Sequence, residues 1–371
     1  MQFSFETSPA RVVFGRGAVT SELQAEVERL GVERLMVVVD STWELLARRV
    51  TAPFAEATAA WFADVEPHVP VQVADRAVAL ARRSRADGLL SIGGGSTTGT
   101  AKIVARETGV PILAVPTTYA GSEMTPVWGL TRAGRLETGT EPAVQPRTVI
   151  LDPDVTDRLP ARLAVASGLN AMAHVVEAHW APRANPVSSA LADEATKALA
   201  TGLRAIGTDS LSRAGSPEMA LRDPVGAWAG TLADAGEQLL YGAFLAGSTF
   251  AVTGTGLHHK ICQILAGQFN LPHAATHAVV LPNVLALNAP AIPAVTDRIA
   301  RALSADDAVA GVRRLYADVG APRTLADLGL RAEQLEEAID RVSAALPIAN
   351  PRPVGSAEVR AVLRNAFGHA A

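Results

Sequence analysis

Cysteine is all but missing from this sequence: Cys262 is the single one in 371 residues. One thiol closes no internal disulfide and builds no cysteine-based zinc site, so a reducing cytosol is the expected location. A strong charge of one sign is missing too. With a net charge of -4 and a pI near 6.1, the chain has no basic field to draw nucleic acid or an anionic membrane, and neither is an expected partner. Any anion is then bound locally. The first residues show no basic stretch followed by an apolar core, so no export signal is expected. The run Leu239 to Leu257 carries no charge over nineteen residues, long enough to span a bilayer, but it holds Gly242, Gly247, Gly254 and Gly256 among serines and threonines, which reads as a close-packed buried helix and not as a membrane span. No repeat of fixed period and no low-complexity linker is present.

What is present divides in two, as a chain of this length should. Residues 1–157 alternate short strand-like runs with helical patterns. The runs are Arg11 to Gly15, Arg34 to Asp40, Gly88 to Ile92, Val110 to Val115 and Val149 to Asp152. The helical patterns are Ala18 to Leu30, Trp43 to Thr58, Val71 to Arg85 and Ala101 to Thr108. That alternation predicts an α/β nucleotide-type domain with a mostly parallel sheet covered on both faces. From 158 to 371 strand-like runs disappear. Ala- and Leu-rich helical segments follow, cut by Pro and Gly at 182–186, 215–217, 320–322 and 346–353, which predicts an all-helical domain carrying the substrate site. A cleft between the two domains is the natural place for a ligand.

The stretch 256–277 holds His258, His259, His273 and His277, half of the eight histidines, together with Lys260. Leu257, Ile261, Ile264 and Leu265 recur at helical spacing and predict one apolar face, while Leu271-Pro272 breaks the helix before a second histidine pair. A lone buried histidine is ordinarily a satisfied core residue. Four beside a lysine point to a wall built to handle negative charge or a metal. A second wall is the run 168–177, where Asn170, His174 and Glu177 share one helical face. An aspartate at 170 would make a strong carboxylate and imidazole pair, whereas a neutral amide is a poor ligand for a divalent ion.

Gly93, Gly94, Gly95 and Ser96 join a strand to a helix, where backbone N–H groups can approach a pyrophosphate and the helix N-terminus favours negative charge. A plain tight turn is the bland alternative, since the pattern is not GxGxxG. Asp40, closing a strand, either accepts from an adenosine ribose, which favours NAD over its phosphorylated relative, or caps the helix that follows. Tyr119 is either a proton donor or a packed aromatic.

The motifs GGGSTTGTAK (93–102), PTTYAGSEMTPVWG (116–129), GLNAMAHVVEA (168–178), HHK (258–260) and LPHAATH (271–277) together resemble the iron-containing alcohol dehydrogenase family over nearly the whole chain. The resemblance implies a Rossmann-like N-terminal domain, an all-helical C-terminal domain, a nicotinamide cofactor and a homodimer. It adds Thr117, Thr118 and Ser122 to the cofactor set of Asp40, Gly93, Gly94, Gly95 and Ser96. The family's metal ligands, an Asp and three His, fall on Asn170, His174, His259 and His273. Gln263 stands where relatives carry a further His, and Gly99 where metal-dependent members carry an Asp. Within the family the motifs look most like the branch that reduces the C=C bond of an unsaturated keto dicarboxylate with NADH, NADPH being tolerated. For that chemistry a doubly charged substrate makes an added carboxylate unwelcome, so Asn170 has a physical reason. His174, His259 and His273 serve as donors without an ion, His258 or Lys260 grips a carboxylate or the enolate, and a histidine or Tyr119 supplies the proton. Two alternatives remain: a metal-dependent alcohol or aldehyde dehydrogenase, and a lyase of the dehydroquinate synthase type.

Overall fold

In the computed structural model, the described residues are 3, 5, 10–213 and 231–368, without the side chains of 208–213 and 231–233. The chain forms two compact units, Thr7–Leu159 and a second made of Pro160–Ala371 with Met1–Glu6. The division falls just past the expected boundary at 157, and the first residues group with the second unit.

The first unit is built on a six-stranded sheet. Its strands are β1 (Arg11–Phe14), β2 (Leu35–Val39), β3 (Thr58–Phe62), β4 (Gly88–Gly93), β5 (Ile112–Pro116) and, after a hairpin of β6 (Val127–Arg132) and β7 (Arg135–Thr140), β8 (Thr148–Leu151). The order is β1-β8-β5-β4-β2-β3, and every pairing in this sheet is parallel. All residues of β2, β4, β5 and β8 are buried, as their unbroken apolar runs require of a sheet covered on both faces. Val37, Val39, Leu90, Ile92, Leu113 and Val115 pack with Leu23, Val27 and Ala47 from flanking helices.

Three elements differ from expectation. The segment 43–58 is not one helix: it is the helix Glu44–Thr51, a 3-10 stretch Ala52–Ala57 containing Pro53, and the start of β3. Proline removes a donor and clashes with the preceding turn, so the helix cannot run through it. The hairpin was not legible because its strands lie largely on the surface without clean alternation; it turns on Ala133 and Gly134, both at positive φ, the geometry of a tight hairpin turn. The phosphate-loop helix begins at Gly95, not Ala101, and runs to Thr108.

The second unit is helical throughout its described residues. The breaks at 182–186, 320–322 and 346–353 fall between helices, and the one at 215–217 lies outside the described residues. The uncharged run enters the helix Thr231–Thr253. A Cβ at Gly242 would stand 2.7 Å from Leu199 Cγ, so the glycine lets this helix cross Pro186–Arg213 at close range. Among the described residues no helix is long and apolar enough to cross a membrane. Leu257, Ile261, Ile264 and Leu265 are buried in a core with Val280, Val284, Ile339 and Leu363, which seats the helix Leu257–Phe269 on the helix His273–Asn288.

Candidate active site

In the first unit the topology itself marks a ligand position. From β2 the chain goes outward to β3 and then returns to β4 on the other side of β2. Such a reversal opens a crevice at the carboxyl ends of the two strands, where open α/β sheets bind ligands. Val39 pairs with Ile92, and Gly93 with Pro116. That register brings Asp40, Gly93 and Thr117 to one edge. Gly93 is needed for packing, since a Cβ there would lie 2.2 Å from Thr97 Oγ1. Gly94 and Gly95 face the next loop instead. A Cβ at Gly94 would meet Thr118 Cγ2 at 3.1 Å, and one at Gly95 would meet Ala120 Cβ at 3.7 Å and Ser122 Oγ at 4.0 Å. Gly94 caps the helix with no side-chain hydrogen bond, and Ser122 Oγ has no hydrogen-bond partner. Glycine backbone, a bare helix N-terminus and a spare hydroxyl suit a phosphate. The residues present therefore fit a dinucleotide.

Asp40 Oδ1 accepts from Thr42 N–H at 3.0 Å and caps the 3-10 turn Ser41–Trp43. The capping alternative is thus realised. Tyr119 is fully buried, its hydroxyl has no well-formed partner, and its charged neighbours are Asp157 and Arg16. Burial pushes its pKa well up. Such burial is what the packed-aromatic alternative expects.

In the second unit the histidines do converge. His259 stacks on His174 with ring centroids 5.0 Å apart, and lies 4.9 Å from His277 and 5.0 Å from His258. His273 joins from the edge, 4.5 Å from His277, and is itself exposed. Phe250 closes one side at 4.9 Å from His174 and 5.0 Å from His259. Lys260 is exposed, while His258 and His259 beside it are buried, because successive helical residues point about 100° apart.

Glu177 holds this cluster together. It is buried, and accepts from the backbone N–H of Gly256 at 3.1 Å, of His258 at 2.7 Å and of His259 at 3.4 Å. Its Oε2 also meets His259 Nδ1 in a short contact. The carboxylate thus caps the helix Leu257–Phe269, whose own N-cap, Gly256, offers no side chain, and complements the positive end of the dipole. The same contact sets the ring: Nδ1–H donates to Glu177, leaving Nε2 as the open atom. The sequence placed Glu177 on the right face but gave it no role; its spacing of three from His174 was the signal. His277 was likewise underweighted. Both its ring nitrogens are buried without partners, as are Asn170 Oδ1 and His258 Nδ1.

Burial, and then repulsion between rings, holds His174 and His277 well below the usual imidazole range. His259 is pushed down to about 3 and His258 to about 4. The cluster is therefore neutral at neutral pH. A depressed imidazole contributes stability above its unfolded value, about 6.5, and loses it as pH falls through the folded value, while Glu177, raised by burial, acts in the opposite sense. We expect ring-nitrogen NMR at pH 5 to show these four histidines still neutral; midpoints between 6 and 7 would contradict the burial described here.

Neutral imidazoles are also the state that binds metals. Ligand atoms of His258, His259 and His277 lie within 4.8 Å of one another, a set that differs from Asn170, His174, His259 and His273. Tetrahedral nitrogens at ~2.1 Å from an ion stand roughly 3.4 Å apart, so this set must contract to hold one. No ligand in it is charged, His258 Nε2 already faces His277 O at 3.2 Å, and Glu177 is committed to backbone and ring. With no anionic ligand in it, the set would hold a divalent ion less firmly than an Asp and three His would.

Comparison with known proteins follows the same division. Residues 9–153 match the model for iron-containing alcohol dehydrogenase, and 227–367 the model for the C-terminal part of that family. Maleylacetate reductase 1 of Rhodococcus opacus is 41% identical over 99% of this chain and 96% of its own. The crystal structure of an iron-containing alcohol dehydrogenase from Corynebacterium glutamicum superposes with a TM-score of 0.89 at 42% identity, covering 100% of this chain and 98% of that one. That of maleylacetate reductase from Rhizobium sp. strain MTP-10005 does so with a TM-score of 0.88 at 37% identity, covering 99% and 98%.

Proposed function

We propose that this chain, which belongs to the iron-containing alcohol dehydrogenase family, reduces the C=C bond of maleylacetate to give 3-oxoadipate in the breakdown of aromatic compounds. The observation that carries the reading is the neutral, carboxylate-backed imidazole cluster with Asn170 in the metal-ligand position. Full-length similarity to maleylacetate reductases supports it.

Gly94, Gly95 and Ser96 would cradle the pyrophosphate of NADH, with Thr117, Thr118 and Ser122 on the facing loop, and the cofactor so held would supply a hydride for the alkene carbon beta to the ketone. Asp40 turns one carboxylate oxygen to Thr42 N–H and keeps the other for the ribose, which disfavours a 2'-phosphate there by charge repulsion. The reduction leaves an enolate that must be stabilised on oxygen and protonated on the adjacent carbon. His259 is the residue best suited to give that proton. Glu177 stabilises its imidazolium through Nδ1 and leaves Nε2 for the substrate, the division of labour of a carboxylate and imidazole pair. The low imidazole pKa values come from burial and from repulsion between the rings. A dianionic substrate among those rings favours their charged forms and raises the values toward neutrality. His174, His258, His273 and His277 then donate to the substrate's oxygens, and Asn170 adds an amide without adding repulsion. A homodimer in the cytoplasm completes the reading, as the family resemblance and the single thiol imply.

A coupled test separates this from a metal-dependent alcohol dehydrogenase. After exhaustive chelation, the protein is expected to consume NADH with maleylacetate at an unchanged rate and to ignore small aldehydes. Activity with aldehydes that vanishes on chelation would reverse the conclusion.

A further inference from the structure

Lys102 is buried inside the first unit at 1% exposure, on the helix that the glycine loop begins. Its Nζ donates to Ser122 O at 2.6 Å, Val127 O at 2.7 Å and Thr125 O at 2.8 Å, with Thr125 Oγ1 at 3.2 Å. An ammonium has three N–H groups and no acceptor. Three carbonyls thus consume all of them, and the segment 122–127 is fastened to the helix Gly95–Thr108 by one side chain. Three residues separate that segment from Thr117 and Thr118, and its first residue is Ser122, whose hydroxyl is unpartnered.

We propose that Lys102 is a positioning residue of the cofactor site, setting the spacing between the glycine loop and the loop that carries Thr118 and Ser122. The proposal rests on the reading of the glycine loop as the NADH site. The spacing matters because the two loops are already at contact distance: a methyl group at Gly94 or Gly95 would touch Thr118 or Ala120. A pyrophosphate is admitted only if the facing loop stays where it is. Each carbonyl of the trio is met by the same nitrogen. Burial pushes the Lys102 pKa down to about 7, with buried Glu123 opposing. The trio of short carbonyl contacts favours the charged form, because a neutral amine has only two donors and would orphan one acceptor.

The test is the NADH dissociation constant of the intact protein, read by fluorescence titration, for Lys102→Met and Lys102→Arg. Methionine keeps the volume and removes every donor; arginine keeps the charge and donors in a longer, planar head. We expect NADH affinity to fall about tenfold or more with methionine and less with arginine. At saturating NADH, kcat and the KM for maleylacetate should stay within about twofold of the parent, as expected when only the cofactor site is disturbed. A purely structural role lowers the melting temperature and leaves the affinity of the folded fraction intact. Parental NADH affinity in folded Lys102→Met would overturn the proposal. Gly94→Val distinguishes the two failures: if it weakens NADH and the lysine variants do not, only the role of Lys102 falls, whereas if it too binds normally, the cofactor reading fails first.

Discussion

Replacing His259 by alanine lowers turnover with maleylacetate by at least about tenfold, the lower bound for losing a positioned acid–base group, and leaves NADH affinity nearly unchanged. The effect is large because three functions meet on one ring. Its Nε2 has no partner, its Nδ1 is bonded to a buried carboxylate, and its ring stacks on His174 with Phe250 tilted against it. Little of the loss should come from unfolding. Glu177 keeps its bonds from the backbone N–H groups of Gly256 and His258, so the cap of the helix survives the truncation. NADH affinity is spared because the glycine loop and its facing residues belong to the other unit. Stopped-flow turnover with a parallel NADH titration measures both quantities. Parental turnover would remove His259 from the chemistry.

Gly94→Val produces the opposite split. The dissociation constant for NADH rises about tenfold or more, because the turn must let the backbone approach the pyrophosphate. Gly94 is the informative glycine of the three. Its φ of -81° and ψ of -165° are open to any residue, so valine brings no backbone strain. What it brings is bulk: the first added carbon already stands 3.1 Å from Thr118 Cγ2. Gly93 would be a poor test, since a side chain there runs into Thr97 and breaks the turn itself. Calorimetric titration of folded Gly94→Val checks the result, and normal affinity would disqualify the loop.

How far the sequence carried differs between the units. The parallel sheet was legible because β2, β4, β5 and β8 are buried on both faces and must read as continuous apolar runs. β3 and the hairpin were not, because a proline-broken helix and two exposed strands carry no such pattern. In the second unit, histidine spacing revealed that a cluster exists but not which rings it selects. Helical phase explains Lys260: one residue past His259 is enough to turn a side chain out to solvent. Glu177 was missed because its partners are backbone N–H groups at 256–259, a contact across long sequence separation that leaves no local motif. Lys102 had a signal that went unused, a lone cation inside the apolar run Ala101-Lys102-Ile103-Val104-Ala105. A lysine in that setting is buried only when acceptors are waiting for it.

The central claim is that the hydride goes to carbon beta to a ketone and that the carbonyl survives. NADH deuterated at its transferable position tests it in one turnover experiment with maleylacetate, read by carbon and deuterium NMR of the product. Deuterium on the former alkene carbon of 3-oxoadipate, with the ketone intact, is the predicted result. Deuterium on a newly formed carbinol carbon would contradict the account, since it would mean that the chain reduces carbonyls as an alcohol dehydrogenase does.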